Sequence, residues 1–209
     1  MTPPSDVPDE HERLLRHALR LSVVSVAWAV VSASVAITAG LLHGSLGVLG
    51  VGLNVVGDMV GSLVLIWRFR LELRDPTIDA RAERTATVVV AGALLLVGTI
   101  LAFDAVVALV QRSHPEQSAL ALGAAIANAV VLPPLGTAKR RTGRALGSTA
   151  LQGDGSLSLV GGALAVIAIL GLVLDSALGW WWADRIAGLV VAVVAFSEAV
   201  RILREPVED

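Results

Sequence analysis

Asp58 is the acidic residue that lies deepest within an apolar stretch of the sequence. Asn54 lies one helical turn before it and Ser62 one turn after it, so on a helix the three side chains share one face. A carboxylate, an amide and a hydroxyl at this spacing offer oxygen ligands to a hard cation, or a site for a proton. The alternative is that Asn54 and Asp58 only hydrogen-bond to a neighbouring helix. Because an ionisable group at membrane depth costs free energy, we favour a functional role for Asp58.

Asp154 and Ser158, one helical turn apart, form a second polar face near the start of another apolar segment. Two interpretations of Asp154 remain open. It is either a member of a cation site or an acid at the beginning of a helix, where it caps the helix or is stabilised by the helix dipole. Asp104 and Glu198 lie near the ends of apolar segments, where we favour structural roles. Arg201, three residues after Glu198, is the predicted partner of that carboxylate.

The composition excludes most other kinds of chemistry. The 209 residues contain no cysteine, which excludes disulfides, thiolate metal sites and thiol nucleophiles. All four histidines lie outside the apolar segments, so we do not expect a buried imidazole site for a transition metal. No phosphate-binding loop, catalytic triad or metalloprotease motif is present. We therefore predict neither an enzyme nor a bound cofactor, and the net charge of −2 argues against a nucleic-acid partner.

Six apolar segments must position these polar side chains. Hydrophobic residues make up 55% of the chain and charged residues 16%, whereas a soluble domain carries about a quarter charged residues. Each segment has roughly the 20 residues that a helix needs to cross a bilayer. The segments are residues 21–42, 46–67, 85–110, 119–137, 150–174 and 181–200. The sequence therefore predicts an all-α integral membrane protein, a bundle of six transmembrane helices in contact with the lipid bilayer.

The distribution of basic residues predicts the orientation of this bundle. All lysine and arginine residues except Arg112 and Arg185 fall in the termini or in the second and fourth loops, with Lys139 in the fourth. Because basic loops face the cytoplasm, both termini are expected there. Residues 1–20 are then a disordered or amphipathic cytoplasmic N-terminus, 21–204 the transmembrane domain and 205–209 a short cytoplasmic tail. The abundance of Ala, Val and Gly indicates a bacterial cytoplasmic membrane.

Three motifs at the predicted spans resemble the cation diffusion facilitator, or cation efflux, family. Asn54-x-x-x-Asp58 lies where the family has Asp-x-x-x-Asp on the second span. Arg81-Ala82-Glu83 leads into the third span as the basic-x-Glu of the family does. The stretch from Ser148 to Asp154 resembles the Ser-x-Ala-x-x-Ala-Asp that opens the fifth span.

Three further motifs are similar to a short branch of this family that lacks the cytoplasmic C-terminal domain. They are Ala27-Trp28, His114-Pro115-Glu116 and the stretch from Trp180 to Asp184. Together with the six spans, the resemblance covers nearly the whole chain. It implies a secondary transporter that exchanges divalent cations such as Zn²⁺ for protons, with a homodimer as its assembly.

The zinc ligands of the family are largely missing from this sequence. The family uses two acids on the second span and His-x-x-x-Asp on the fifth, and these positions correspond here to Asn54, Asp58, Leu157 and Gly161. Only Asp58 would supply a charged ligand, so this is a poor zinc site. Asn54 and Asp58, with Ser158, better suit a hard or monovalent cation. The resemblance thus gives Asp58, Asn54, Asp154 and Ser158 as candidate cation- or proton-binding residues, with Asp58 the one predicted metal ligand.

Two functions are compatible with this sequence. The first is a secondary cation transporter with a degenerate metal site, coupled to protons and working by alternating access around a site near the membrane midplane. The second is a membrane scaffold or partner subunit that keeps the fold but transports nothing. We favour transport, because a pure scaffold gains nothing evident from an acid as deep as Asp58.

Overall fold

A computed structural model describes residues 6–43, 46–75, 79–112 and 119–204. Some side chains within these ranges, that of Asn54 among them, lie outside the described part, as do the His114-Pro115-Glu116 motif and the tail 205–209. Six α-helices and no strand occur in the ranges described. The helices are α1 Asp6–His43, α2 Leu46–Glu72, α3 Asp79–Gln111, α4 Ala119–Leu146, α5 Thr149–Leu178 and α6 Ala183–Arg204.

The helices form an all-helical membrane bundle, and each contains one of the six predicted apolar segments almost entirely. Among the described residues, four stretches are long and apolar enough to cross a membrane: Glu10–Val35, Arg81–Gln111, Thr149–Leu178 and Arg185–Arg204. Helices α1, α2, α4 and α5 pack together as one group, and α3 and α6 pack on each other beside it. Large apolar side chains such as Phe103, Val110 and Val193 point outward, as expected of a lipid-facing surface.

Helix α1 includes most of the N-terminal arm. It begins at Asp6 and continues without interruption to His43, so from Asp6 onward the arm and the first apolar segment are one helix. Leu15 and Ala18 are buried against α2, α3 and α5, in a cluster that contains Leu65 and Phe69. This packing of apolar side chains accounts for the helical arm, because tertiary contacts stabilise a helix more than propensity does.

Helix α4 continues well beyond the predicted end of the fourth segment, and the assignment of Lys139 to a loop is therefore wrong. Pro133 and Pro134 lie within the helix, and the Thr137 hydroxyl is 2.9 Å from the carbonyl oxygen of each proline. Prolines are tolerated in membrane helices when neighbouring groups satisfy the backbone atoms that they free. As a result, Lys139 lies two turns before the end of α4 at Leu146, with its side chain wholly buried.

The crossing of α4 and α5 sets the position of Lys139. A Cβ atom added to Gly136 would lie 2.7 Å from the carbonyl oxygen of Gly155, and one added to Gly155 would lie 2.8 Å from that of Gly136. Only glycine at both positions allows the two backbones to approach this closely. The close crossing brings Lys139, one turn after Gly136, alongside the N-terminal half of α5.

Candidate functional site

A polar cluster lies where α1, α2, α4 and α5 meet, and we call it the central polar cluster. It combines one lysine, two aspartates and three serines that are linked to one another by hydrogen bonds and one ion pair. Its members are Ser25, Asp58, Ser62, Lys139, Asp154 and Ser158.

Lys139 and Asp154 form the ion pair at the heart of this cluster. The Nζ atom of Lys139 lies 2.7 Å from Oδ2 of Asp154, and both side chains are completely buried. Gly61 makes room for the carboxylate, because a Cβ atom added there would lie 2.8 Å from Oδ1 of Asp154. A buried charge requires a partner of opposite sign and further hydrogen bonds, and here each charge has both.

Three serines from three helices surround the ammonium group of Lys139. Nζ lies 2.6 Å from Oγ of Ser25, 3.1 Å from Oγ of Ser62 and 3.1 Å from Oγ of Ser158. An ammonium group only donates hydrogen bonds, so each serine oxygen accepts from Lys139 and keeps its own hydrogen for another acceptor.

Those serine hydrogens connect Lys139 to the two carboxylates. Ser62 donates to Asp154 at 3.0 Å, while Ser158 donates to Oδ1 of Asp58 at 3.0 Å and Ser25 to Oδ2 at 3.4 Å. Asp58 is half-buried and receives both of these bonds from hydroxyl groups. One serine oxygen therefore separates the ammonium from Asp58, whereas Asp154 contacts the ammonium directly.

The structure brings together three of the four residues that the sequence placed in a cation site. Asp58, Asp154 and Ser158 all belong to the central polar cluster, and Asn54 is on α2 one turn before Asp58, with its side chain outside the described part. The alternative interpretation of Asp154 as a helix cap is wrong. Ser148 caps α5 by accepting from the backbone N–H of Leu151, and Asp154 lies more than one turn further along.

Leu157 and Gly161, which correspond to the histidine and aspartate of the family site, supply no polar side chain to the central polar cluster. Leu157 nevertheless lies at its edge, because a Cβ atom added to Gly61 would lie 3.2 Å from Cδ1 of Leu157 and 2.8 Å from Oδ1 of Asp154. Leu157 belongs to an apolar cluster with Val90, Leu94 and Val97 of α3. A Cβ atom added to Gly161 would lie 3.0 Å from Leu132 of α4. The α5 side chain that hydrogen-bonds to Asp58 is therefore Ser158, one residue after the position that the resemblance indicated.

Lys139 and Ser25 belong to the site although the sequence did not predict either of them as a member. Lys139 is the only lysine in the chain, and it shares a helical stripe with Leu132, Leu135 and Thr142. All four of these side chains are buried. A stripe spaced by three or four residues indicates a buried helix face, so the sequence alone carries a signal that Lys139 is buried. Ser25 gave no comparable signal, because serine is common in apolar helices.

A second polar cluster joins the end of α2 to the beginnings of α3 and α5. Nε of Arg68 lies 2.7 Å from Oε2 of Glu83, and its Nη2 lies 3.2 Å from Oε2 of Glu72. Glu83 also accepts from the backbone N–H of Ala150 at 2.8 Å and from the hydroxyl of Ser148 at 3.1 Å. Arg68 and the two glutamates are buried, so this cluster fixes three helix ends relative to one another.

Helix α1 also reaches the second polar cluster. Nε2 of His11 lies 3.1 Å from Oε1 of Glu72, although the histidine side chain is 54% exposed. This contact joins the N-terminal arm to the end of α2, across the same helix ends that Arg68 and Glu83 hold together.

Glu198 has the structural role that its sequence context predicted. Arg201 donates to it at 2.8 and 2.7 Å, which confirms the predicted pair within α6. Ser156 of α5 donates to the same carboxylate at 2.5 Å, and Arg140 of α4 lies 3.7 Å away. Glu198 therefore connects α6 to the group of helices that forms the central polar cluster.

The chemistry of the central polar cluster is that of oxygen ligands and charge. Its donor atoms toward a cation are carboxylate and hydroxyl oxygens, which hard cations prefer. Across the described part of the chain, no three His, Cys, Asp or Glu side chains are grouped closely enough to hold a metal ion. A small cation or a proton beside Asp58 would therefore meet carboxylate and hydroxyl oxygen atoms and one lysine ammonium group.

These features define an integral membrane protein with a charged cluster inside a helical bundle. Residues 22–209 match the model of the cation efflux transmembrane domain. The chain therefore belongs to the cation efflux family. It is also similar to Transmembrane protein 163 of Xenopus laevis, with 25% identity over 201 residues that make up 96% of this chain and 71% of that protein.

Proposed function

We propose that this protein is a secondary cation transporter with Asp58 as the carboxylate that binds the transported cation or proton. Ser158 and Asp154 assist it, and Asn54 lies one turn away on the same helix. The observation that carries the proposal is the position of Asp58, half-buried and hydrogen-bonded to Ser25 and Ser158 where four helices meet. An acid inside a membrane bundle marks an ion pathway more often than it serves packing alone.

The proposed mechanism is alternating access around the central polar cluster. The cluster takes residues from α1, α2, α4 and α5, so movement of these helices relative to one another would expose Asp58 to one side of the membrane and then to the other. Coupling to protons would use the same carboxylate, which can hold either a cation or a proton. Zinc is a poor substrate for this site, because the donors are oxygen atoms and one of the two carboxylates is already paired with Lys139.

The proposal extends to topology and assembly. We propose six spans with both termini in the cytoplasm, and the six helices and the distribution of basic residues support this topology. The second polar cluster would then lie on the cytoplasmic side. A bacterial cytoplasmic membrane is the proposed location, and a homodimer is the proposed assembly by analogy with the family.

A scaffold function has one observation in its favour. Lys139 and Asp154 neutralise each other and are hydrogen-bonded to Ser25, Ser62 and Ser158, as in a purely structural ion pair. In that case the protein would hold a partner through its helix faces and would move no ion.

Substitution of Asp58 by asparagine tests the proposed function. We expect the purified wild type, reconstituted in vesicles, to move at least one cation from a panel of Na⁺, K⁺, Mg²⁺, Mn²⁺ and Zn²⁺, with or without a pH gradient. Asp58→Asn keeps the shape of the side chain but removes its charge, so flux is expected to fall to that of protein-free vesicles. Ion-selective dyes inside the vesicles measure the flux.

Asp104→Asn is the matched control, since Asp104 is an exposed acid on α3 away from the central polar cluster. It is expected to transport as the wild type does. Absence of flux from the wild type for every cation, or full flux from Asp58→Asn, would leave the scaffold as the better account.

A further inference from the structure

We propose that Lys139 gives the central polar cluster a net charge of −1 and thereby selects singly charged cations. This inference rests on the proposed function and names its substrate class. Asp58 and Asp154 contribute two negative charges, and the ammonium of Lys139 neutralises one of them. The cluster is thus balanced by one added positive charge, namely Na⁺, K⁺ or a proton on Asp58.

The contacts of Asp154 and Asp58 give these two carboxylates different roles in the cluster. Asp154 contacts Nζ of Lys139 at 2.7 Å and is completely buried, so it holds the lysine in place. Asp58 reaches Lys139 only through the hydroxyls of Ser25 and Ser158, each of which accepts from Nζ and donates to Asp58. Asp58 is therefore the carboxylate whose charge remains available to an incoming cation.

Because the inside of the helical bundle has low polarity, the net charge of the central polar cluster decides which cation it binds. Uncompensated charge in a buried site carries a large free-energy penalty, because water no longer solvates it. A divalent cation beside Asp58 would leave the cluster with an excess of one positive charge, held against the fixed ammonium. A monovalent cation leaves no excess, so the same oxygen atoms favour Na⁺ over Mn²⁺ although both are hard cations.

Moving the Lys139 side chain out of the central polar cluster would cost free energy, because its contacts there would be lost. Its Nζ atom has four oxygen neighbours, on Asp154, Ser25, Ser62 and Ser158, from three different helices. Its own backbone is held by the Gly136–Gly155 crossing one turn earlier. Lys139 thus keeps its ammonium group within the central polar cluster, and the transported ion must be accommodated beside it.

Selectivity between Na⁺ and Mn²⁺ tests this inference, with H⁺ and K⁺ flux measured in parallel. In reconstituted vesicles the wild type is expected to move one or more of the monovalent ions and to exclude Mn²⁺. Lys139→Met keeps the length of the side chain and changes the net charge of the cluster to −2. We expect it to raise the ratio of Mn²⁺ to monovalent flux by about tenfold or more, which corresponds to ~1.4 kcal/mol.

Two further variants separate charge from the loss of the lysine. The double variant Lys139→Met with Asp154→Asn restores a net charge of −1, so the monovalent preference should return. Ser25→Asp brings the charge to −2 while the Lys139–Asp154 pair stays intact, so it should favour Mn²⁺ as Lys139→Met does. Ser25→Asp also carries the test if Lys139→Met alone fails to fold, as judged by size-exclusion chromatography in detergent.

The outcomes distinguish this inference from the proposed function. Mn²⁺ flux through the wild type equal to its monovalent flux, or unchanged selectivity in folded Lys139→Met and Ser25→Asp, would overturn the role of Lys139 and leave cation transport standing. A wild type that moves no cation at all would overturn transport itself, and the inference with it.

Discussion

Substitution of Asp154 by alanine is expected to lower the free energy of unfolding by about 3–5 kcal/mol, since it breaks the direct contact between two buried charges and leaves Lys139 separated from Asp58 by serine hydroxyls. Lys139 would remain wholly buried, with only the serine hydroxyls as acceptors. Hydroxyl groups solvate an ammonium group less well than a carboxylate does. Unfolding of the purified protein in mixed micelles, followed by circular dichroism against increasing SDS, measures the change.

The double variant Lys139→Met with Asp154→Leu is the control for this prediction. It replaces the ion pair by apolar side chains of similar size, and such replacements are often neutral or stabilising. We therefore expect it to recover most of the stability that Asp154→Ala loses. If Asp154→Ala unfolds as the wild type does, or if the double variant is less stable than Asp154→Ala, then Lys139 and Asp154 are not a buried pair.

Substitution of Glu83 by alanine is expected to have an effect of the same order, about 3–5 kcal/mol. Glu83 pairs with the buried Arg68 at 2.7 Å and accepts from the backbone N–H of Ala150 in the first turn of α5. Its removal leaves Arg68 with Glu72, at the longer distance of 3.2 Å, as the acid it pairs with. It also takes away the acceptor of the buried Ala150 N–H and of the Ser148 hydroxyl at the beginning of α5. The same SDS titration measures this loss.

An exposed ion pair provides the matched control for Glu83. Glu12 and Arg16 form a pair on α1 with side chains that are 48% and 64% exposed. Glu12→Ala is expected to change stability by only about 0–1 kcal/mol, because water already solvates both charges. Equal effects of Glu12→Ala and Glu83→Ala would contradict the account of the second polar cluster as a buried junction of three helices.

The sequence predicts the helices of this protein far better than it predicts the partners of its charges. Long apolar segments fix where helices lie, so each of the six has its counterpart in the structure. The predicted segments are shorter than the helices where a charged residue marks the edge of an apolar segment. Arg68 and Lys139 are the clearest cases, because the sequence places both in loops whereas both are buried on helices.

The sequence predicts some members of the candidate site but not which side chains contact one another. The spacing on α2 and α5 placed Asp58, Asp154 and Ser158 on polar faces, and the structure brings those faces together. Ser62 lies on the same face of α2 as Asp58, yet its hydroxyl hydrogen-bonds to Asp154 and Lys139 of other helices. Helical periodicity gives the direction of a side chain along its own helix, whereas its partner depends on how helices cross. The Gly136–Gly155 crossing sets that arrangement through contacts between backbones.

A transported cation is proposed to bind beside Asp58 within the central polar cluster, and NMR of the Lys139 side-chain nitrogen tests this most directly. Lys139 is the only lysine in the chain, so protein grown with ¹⁵N-labelled lysine gives a single side-chain Nζ signal. Titration with Na⁺, or with whichever monovalent ion the vesicle assay identifies, is expected to shift this signal saturably in the wild type. No such shift is expected in Asp58→Asn. An Nζ signal that stays unchanged in the wild type, or that shifts equally in Asp58→Asn, would contradict the account.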